Sequence, residues 1–308
     1  MMARRKIYSR RTFEDRVFDI INYILMIFLI IITLYPFINV IAVSLNDPLD
    51  SIKGGIYLKP RKPTLYNYRV VLSRKEIYNA TGVSVLRTVV GTGLGILATF
   101  FVAYPLSRKD FVFRKPLTTY FLLTMYVSGG LIPGYFLIKS LGLLNNFWVY
   151  ILPGLVSAFN ILVVRSYIST LPDSFVESAK IDGAGEFRIL FTIIMPLCIP
   201  VLATIALFIA VGQWNSWFDT YIYASSKQEL STLQFELQKI LQEATQAFST
   251  SSDYGSAISS GAAERSKTIT PTSIRATMTV VATLPVLLVY PFLQKYFVTG
   301  LTLGGVKG

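Results

Sequence analysis

The residue types that carry most enzyme chemistry are scarce in this chain. It has one cysteine, Cys198, and no histidine, so it lacks the residues for a Cys/His metal cluster or for a nucleophile activated by histidine. No Gly-x-x-x-x-Gly-Lys-Ser/Thr motif occurs, which places any ATP hydrolysis in another chain. The sequence therefore predicts no catalytic residue, no metal site and no cofactor in this chain.

One polar segment, residues 171–196, has spacing that predicts a defined shape. Ser174 and Glu177 stand at the spacing of a capping box, which opens a helix. Gly183 and Gly185 follow at positions that end a helix or turn the chain. The segment is therefore expected to form a helix, a sharp bend and a second helix. This shape suits a rigid knob that sits in a cleft of another protein and transmits its movement.

A second group of residues, Gln213, Trp214, Asn215, Trp217 and Tyr221, combines aromatic rings with side-chain amides. Indole rings pack on the apolar C–H faces of a pyranose while amides bond its hydroxyls, so the group is a candidate sugar pathway. Aromatic residues also form belts at the lipid interface of membrane helices. The sequence leaves both interpretations open.

Long apolar stretches must position these residues. The chain has 308 residues, is 53% hydrophobic and has a mean hydropathy of +0.53, more apolar surface than one soluble core of that length buries. A bilayer core requires about 20 apolar residues per helix. Six stretches without Asp, Glu, Lys or Arg meet this length: 20–46, 88–107, 116–138, 140–164, 189–218 and 276–294. The predicted fold class is an all-α integral membrane protein with six transmembrane helices.

The formal charge of +12 is distributed between these stretches. Lys and Arg lie in short clusters rather than on one continuous face, so the charge does not indicate a nucleic-acid partner. The densest short clusters lie in the N-terminal segment and in the connections around 107–116 and 165–188, which the positive-inside rule places in the cytoplasm. Both termini are then expected in the cytoplasm.

Several residues near the predicted spans have ordinary structural interpretations. Arg87 and Arg275 each adjoin the start of a charge-free stretch, where snorkelling to the interface is expected. Gly91 and Gly95 predict close helix packing. Residues 129–133 contain two glycines and a proline, which mark a loosened third span, either a gate or a kink.

The long polar connection 219–274 contains one helical pattern. Leu233, Leu237, Ile240 and Leu241 recur at helical spacing, which predicts an amphipathic surface helix. Such a helix either covers the end of the bundle or docks a partner.

The segment from residue 177 resembles the EAA motif of ABC importer permeases, whose pattern is Glu-Ala-Ala, three residues, Gly, nine residues and Ile-x-Leu-Pro. All spacings of that pattern hold in this chain, with Ser178 in place of Ala and Met195 in place of Leu. The matching residues are Glu177, Ser178, Ala179, Gly183, Ile193, Met195 and Pro196. The core Asp182-Gly183-Ala184 looks like that of the family's sugar branch.

Three further stretches narrow the resemblance. Residues 214–218, Trp-Asn-Ser-Trp-Phe, look like the Trp-Asn-x-Phe signature of permeases of the maltose-transporter G-subunit type. The tail 300–308 resembles that branch's terminal Gly-x-x-x-Gly-Ala-Val-Lys-Gly, with Gly305 in place of Ala. Residues 128–133 and 271–275 look like the LplC-like subgroup of oligosaccharide and polysaccharide importers.

The resemblance implies a type I ABC importer permease fold with a cytoplasmic coupling helix, which inserts into an ATPase. The implied function is half of the translocation pathway for a carbohydrate, with an oligosaccharide as the expected class. The implied partners are a second homologous permease, two cytoplasmic ABC ATPase subunits that bind ATP and Mg²⁺, an extracellular lipoprotein or solute-binding protein, the carbohydrate and membrane lipid. The subgroup resemblance favours the plasma membrane of a Gram-positive bacterium.

Roles carried over by the resemblance fall on three sets of residues. The ATPase-coupling set is Glu177, Ser178, Ala179, Asp182, Gly183, Ala184 and Pro196. The substrate-pathway set is Gln213, Trp214, Asn215, Trp217 and Tyr221. Lys307 and Gly308 form a tail that either reaches the ATPase interface or frays.

The implied organisation divides the chain in order along the sequence. The segments are a basic cytoplasmic N-terminus 1–16, a first transmembrane helix 17–46, an external loop 47–82, a permease core 83–297 and a cytoplasmic tail 298–308. The core contains the coupling loop 171–190 and the external loop 219–274.

Two other functions compete with carbohydrate import. A permease of the same fold for a non-sugar solute shares the coupling motif but not the Trp-Asn signature or the tail. A membrane-embedded enzyme would need paired carboxylates, histidine or cysteine within the spans, and the one carboxylate within the predicted spans is Asp19, near the edge of the first.

Overall fold

The computed structural model describes residues 13–250 and 270–303. Within them, the regular elements are helices, with one isolated β-bridge between Asn46 and Pro63. The α-helices are α1 Phe13–Ser44, α2 Pro48–Ile52, α3 Tyr66–Leu72, α4 Lys75–Ser107, α5 Arg114–Tyr126, α6 Leu131–Ser140, α7 Ala158–Ile168, α8 Ser174–Ile181, α9 Glu186–Ile189, α10 Met195–Leu197, α11 Ile199–Asn215, α12 Phe218–Tyr223, α13 Leu233–Thr250 and α14 Pro271–Leu303. Short 3₁₀-helices span Phe147–Tyr150, Leu152–Gly154 and Gln228–Leu230, and a π-helix spans Leu190–Ile194.

The described residues fall into two compact units, of which the first comprises residues 13–71, 244–250 and 270–280. Its α1 is apolar and exposed over most of its length, as expected of a helix whose solvent is lipid. The connection after α1 is organised by Asn46, whose amide nitrogen donates to Asp50 and Ser51 and whose oxygen accepts from the Lys62 backbone. The buried side chain of Asn67 donates to the carbonyl oxygens of Ser44 and Asn46, so the polar backbone of this turn is satisfied.

The second unit comprises residues 72–243 and 281–303. Its core forms where α4 packs against α11 and α7, with Phe100, Ile161 and Ile205 fully buried. A Cβ atom added at Gly91 would lie 3.0 Å from the Gln213 side chain, and one added at Gly95 would lie 3.0 Å from Cδ1 of Ile209. The close packing predicted for these glycines is confirmed, because each lets α11 approach the backbone of α4.

The described residues contain three continuous helices that are long and apolar enough to cross a membrane, and six spans if each of three bent helix pairs counts as one span. Three are continuous: α1, α4 and residues 271–289 of α14. Three are pairs of helical segments bent at a short break: α5 with α6 at 118°, Phe147–Gly154 with α7 at 50°, and Glu186–Leu197 with α11 at 80°. The predicted all-α membrane fold is therefore confirmed, and the predicted six spans are reached when each bent pair is counted as one span.

The bends have local causes. Between α5 and α6 the chain leaves the helix at residues 127–130, and Gly130 has a φ of +84°, a conformation that glycine adopts without a Cβ clash. The fifth span passes through the π-helix, then breaks at Cys198 between Pro196 and Pro200. Prolines lack the N–H that would continue a helical hydrogen-bond ladder.

Helix boundaries extend beyond the charge-free stretches. The first helix begins at Phe13 and ends at Ser44, where residues 17–46 were expected. The fourth helix begins at Lys75, so residues 75–82 of the expected external loop belong to it. Charged side chains at a helix end reach water while the backbone stays helical, and a charge-free window therefore underestimates helix length. The short helix α3 also lies within that expected loop.

The polar connection after the fifth span contains the predicted amphipathic helix as α13. Leu233, Leu237 and Ile240 are buried on one face. The Leu233 backbone N–H donates to Oγ of Ser84 on α4 at 2.8 Å. These contacts favour the covering role for this helix over the docking role.

Candidate functional site

The helix of the EAA-like segment is α8, and its first turn differs from the expected capping box. Ser174 is the first helical residue and Asp173 occupies the N-cap position without a capping side-chain bond. The backbone N–H groups of Val176 and Glu177 donate to the Asp173 carbonyl oxygen. The capping-box prediction is therefore wrong, because main-chain bonds close this turn and the Asp173 carboxylate is bound elsewhere.

The end of α8 confirms the role predicted for Gly183. The Gly183 N–H donates to the Lys180 carbonyl at 3.0 Å, and the Ala184 N–H donates to the Ala179 carbonyl at 2.9 Å. This pair of bonds is a Schellman motif, which places its C′ residue in the left-handed region, and Gly183 has a φ of +78°. Gly185 has an extended conformation and is the N-cap of α9, so only Gly183 requires glycine for its backbone.

The surface of α8 is divided into a packed face and an exposed face. Val176 and Ala179 are buried at 2% and 7% exposure. Glu177 and Ser178 are exposed, as are Asp182, Gly183 and Pro196, while Ala184 is half-buried. Three large apolar side chains on this segment are also exposed and were missed by the motif comparison: Phe175 at 46%, Ile181 at 86% and Phe187 at 73%. Exposed apolar side chains beside polar ones are typical of a protein-docking surface.

Ion pairs fix the start of α8 to the connection after α4. Nζ of Lys109 lies 3.0 Å from Asp173 Oδ2, and Nη1 of Arg108 lies 3.6 Å from Asp173 Oδ1. The hydrogen bond from Lys109, with the charges of Lys109 and Arg108, lowers the pKa of Asp173. The carboxylate therefore stays charged and holds both basic residues at neutral pH.

A second contact fixes the turn between α8 and α9. Nζ of Lys180 lies 2.7 Å from Glu186 Oε1, and the hydroxyl of Tyr104 donates to Glu186 Oε2 at 2.9 Å. Tyr104 belongs to the last part of α4. The α8–α9 segment is thus held by α4 and by the connection that follows it. A cleft of about 430 Å³ lies beside this contact, lined in part by Tyr104, Phe111, Glu186 and Phe187.

A buried charged cluster lies nearer the start of α4, centred on Arg87. Its side chain is 2% exposed, where an exposed side chain at the edge of a span was expected. Nη2 lies 2.5 Å and Nη1 3.2 Å from the two oxygens of Asp219. Nε donates to Oε1 of Gln213 at 3.0 Å, and the guanidinium carbon lies 4.4 Å from the ring centroid of Tyr150.

The snorkelling prediction for Arg87 is therefore wrong. The helix begins twelve residues earlier, at Lys75, so Arg87 is interior to α4, and Asp219 and Gln213 supply its partners within the protein. Arg275, which has the same position relative to a charge-free stretch, is exposed in α14.

The five residues of the expected sugar pathway separate into two groups. Gln213 and Trp214 are engaged within the protein: Gln213 also donates to the Tyr150 carbonyl at 3.1 Å, and the indole N–H of buried Trp214 donates to the Ala282 carbonyl at 2.9 Å. Asn215 and Tyr221 are exposed, and Trp217 is partly exposed. Gln213 and Trp214 therefore do not present their polar groups at the surface.

The exposed aromatic rings form a continuous cluster. The ring centroids of Trp217 and Tyr221 are 6.3 Å apart, and those of Trp217 and Phe218 are 5.7 Å apart. Tyr221 also lies 6.3 Å from Phe235. A cleft of about 400 Å³, lined by Tyr221 and Tyr135 among others, adjoins it. Its volume lies within the range of small-ligand sites.

No group of three or more His, Cys, Asp or Glu side chains is arranged to hold a metal ion within residues 13–250 and 270–303. Lys307 and Gly308, expected to contact an ATPase, lie outside the described residues.

Comparison with known proteins gives consistent matches along the chain. Residues 91–303 match the family described as binding-protein-dependent transport system inner membrane component. The polygalacturonan/rhamnogalacturonan transport system permease protein YtcP of Bacillus subtilis (strain 168) is 37% identical over 295 residues, covering 96% of this chain and 100% of that protein. Protein LplC of the same strain is 36% identical over 297 residues, covering 96% and 97%.

A solved structure matches the fold as well. It is described as the crystal structure of a bacterial ABC transporter involved in the import of the acidic polysaccharide alginate. The matched chain has a TM-score of 0.73 and 28% sequence identity, with 94% of this chain and 99% of that chain covered.

Proposed function

We propose the function of this chain from one premise: it belongs to the family of binding-protein-dependent transport system inner membrane components. It is accordingly a transport permease of the membrane, with the helical fold of ABC importer permeases. On this basis it forms half of the translocation pathway for a carbohydrate, with an oligosaccharide as the substrate class. The names of the relatives, which refer to polygalacturonan, rhamnogalacturonan and alginate, support that class.

The α8–α9 segment acts as the coupling element. The observation that carries this assignment is a short helix with exposed Glu177 and Ser178, ended by the left-handed Gly183 and tied to α4 through Tyr104 and Glu186. A helix fixed in this way moves as a rigid knob. Force applied to its exposed face by a closing ATPase is then transmitted to α4.

The assembled importer contains partners that this chain requires. A second homologous permease completes the pathway, two ATPase subunits bind ATP and Mg²⁺ in the cytoplasm, and an extracellular lipoprotein or solute-binding protein delivers the carbohydrate. ATP binding would switch the permeases between inward-open and outward-open states by rigid-body movement. The membrane is the plasma membrane of a Gram-positive bacterium, with both termini in the cytoplasm and the tail, including Lys307 and Gly308, towards the ATPase.

The substrate pathway uses the exposed aromatic cluster. Trp217 and Tyr221 offer ring faces to sugar C–H groups, and Asn215 offers an amide to hydroxyls. The packed side chains of Gln213 and Trp214 support this surface from within.

Uptake of labelled oligosaccharides by cells carrying the complete system tests the function and the coupling assignment together. In Gly183→Val, a β-branched side chain must occupy a φ of +78°, a strain of about 1–3 kcal/mol. Because about 1.4 kcal/mol changes an equilibrium tenfold, we expect ATP-dependent uptake to fall roughly tenfold or more while the protein remains in the membrane.

Gly185→Val is the matched control, because Gly185 is extended and an added Cβ meets no atom within 4 Å. It should transport at nearly the parental rate. Full uptake in Gly183→Val would overturn the coupling assignment. ATP-dependent uptake of a non-sugar solute, with none of any carbohydrate, would overturn the proposed substrate class.

A further inference from the structure

The guanidinium of Arg87 has an unusually complete set of partners for a charged group inside a membrane span. It has five N–H donors. Besides the two bonds to Asp219 and the bond to Gln213, Nη1 reaches the Ser216 carbonyl oxygen at 3.4 Å. The Tyr150 ring covers one face. Charged residues within spans are rare and are by default candidates for a functional role.

The partners of Arg87 come from the junction of two helices. Gln213 lies in the last turn of α11, Ser216 is its C-cap, and Asp219 lies in the first turn of α12. Arg87 therefore spans the break between α11 and α12 and joins both sides of it to α4. Tyr150 extends the cluster, since its hydroxyl donates to the Leu230 carbonyl at 2.6 Å.

The burial of this cluster opposes its opening. Arg87 is 2% exposed and Asp219 is 22% exposed, so water has little access to the pair. Separating the two groups would leave a buried guanidinium without its counter-charge, which is far more costly than breaking an exposed ion pair. A movement that slides α12 along α4 is thus disfavoured relative to one that moves both together.

Helix α4 also contacts the coupling segment. Arg87 and Tyr104 are both on α4, and at about 1.5 Å per residue they lie about 26 Å apart along its axis. Tyr104 binds Glu186 in α9, whereas Arg87 binds Asp219 in α12. One helix therefore connects the coupling segment to the element that carries Tyr221 and follows Trp217.

We propose that Arg87 is a positioning residue that clamps α12, with Trp217 and Tyr221, to α4, so that α4, α11 and α12 move as one body during transport. The clamp stays closed in both states of the cycle. This inference rests on the proposed transport function for its role, but the geometry that it predicts is measurable without transport.

Distances between spin labels on α4 and α12 test the inference in the assembled transporter. Val89 on α4 and Phe218 on α12 are exposed at 66% and 46% and accept labels as Val89→Cys and Phe218→Cys in a Cys198→Ala background. We expect the same mean distance in the nucleotide-free and ATP-bound states. A shift approaching one helical turn, about 5 Å, would overturn the clamp.

Substitutions of Arg87 provide a second test of the clamp. Arg87→Gln should broaden the distance distribution between the labels and lower the maximal uptake rate at least tenfold, and Arg87→Lys should recover part of both, because it restores the charge without the two-pronged contact. Arg275→Gln, a change of the same type at an exposed site, should alter neither. An unchanged distribution in Arg87→Gln would contradict the positioning role.

The two hypotheses fail in different ways. If the unsubstituted transporter shows no carbohydrate uptake while the label distance stays constant between states, the proposed function is wrong and the clamp stands. If uptake is intact while the distance changes with nucleotide, the clamp is wrong and the function stands.

Discussion

Individual residues determine how firmly α8, the proposed coupling helix, is held. Asp173 binds Lys109 and Arg108 at the start of α8, and Glu186 binds Lys180 and Tyr104 after its end. Each pair of contacts joins the segment to α4 or to the connection that follows it. Exposed ion pairs contribute little individually, so their value here lies in fixing orientation rather than in overall stability.

The Asp173 contacts predict a specific pH dependence. Because Lys109 and Arg108 lower the pKa of Asp173 in the folded protein, the pair stabilises the fold above the unfolded-state pKa, about 3.9. That contribution is lost as the pH falls through the lower folded-state pKa. Asp173→Asn should therefore melt slightly below the parent at pH 7, and the difference should vanish towards the acid end.

Thermal unfolding of the purified transporter across pH measures this difference. Asp182→Asn, the same change at the exposed C-cap of α8, is the control and should match the parent throughout. The melting temperatures of Asp173→Asn and the parent should converge at acid pH. A difference that persists there would show that the lost contacts are not those of the charged carboxylate.

Sequence spacing can predict a residue's surroundings when its contacts lie nearby in the chain. It cannot do so when the contacts come from distant helices. Glu177 and Ala179 lie in α8 and Gly183 follows its C-cap, so their positions follow from the length and the ending of one helix. Arg87 is bound by Gln213 and Asp219, whose positions depend on how α4 packs against α11 and α12. Hydropathy depends only on the sequence neighbours of Arg87. It therefore placed this residue at the edge of a membrane span.

Pairs of helices in this fold are held by small residues as well as by charges. The approach of α11 to α4 depends on Gly91 and Gly95, whereas Gly93 between them is exposed and its added Cβ would meet no atom within 4 Å. The three glycines are alike in sequence but not in packing.

This difference predicts opposite outcomes for one substitution at two sites. Gly95→Leu forces a side chain into Ile209, and overpacking of this kind costs about 1–3 kcal/mol. Gly93→Leu adds apolar surface to an exposed face and improves helix propensity. Thermal unfolding in detergent should show a lower melting temperature for Gly95→Leu and an equal or higher one for Gly93→Leu. Equal melting of the two variants would refute the close packing.

The number of spans was predictable, but their shapes were not. Each charge-free stretch has the length that a bilayer requires, and this length can be read directly from the sequence. The 118° bend between α5 and α6 follows the left-handed Gly130, and the 80° bend lies at Cys198 between two prolines. Neither angle can be read from hydropathy. Residues 129–133 did mark the first of these, because paired glycines weaken a helix.

At the scale of the whole molecule, the exposed surfaces support the proposal that this chain works with partners. Its coupling segment exposes both charged and apolar side chains, α1 exposes apolar residues along its length, and its residues form no phosphate-binding motif. In the proposed importer, this chain supplies half of the pathway and the coupling segment, and separate ATPase chains supply the energy of transport.

The central claim is that this chain is an obligatory half of an ATP-driven carbohydrate importer. Purified permeases, ATPases and binding protein, reconstituted into liposomes with labelled acidic and neutral oligosaccharides, test it most directly. We predict accumulation of at least one oligosaccharide that requires ATP on the side of the ATPases and disappears when this chain is omitted. Equal ATP-dependent accumulation without this chain would contradict the claim.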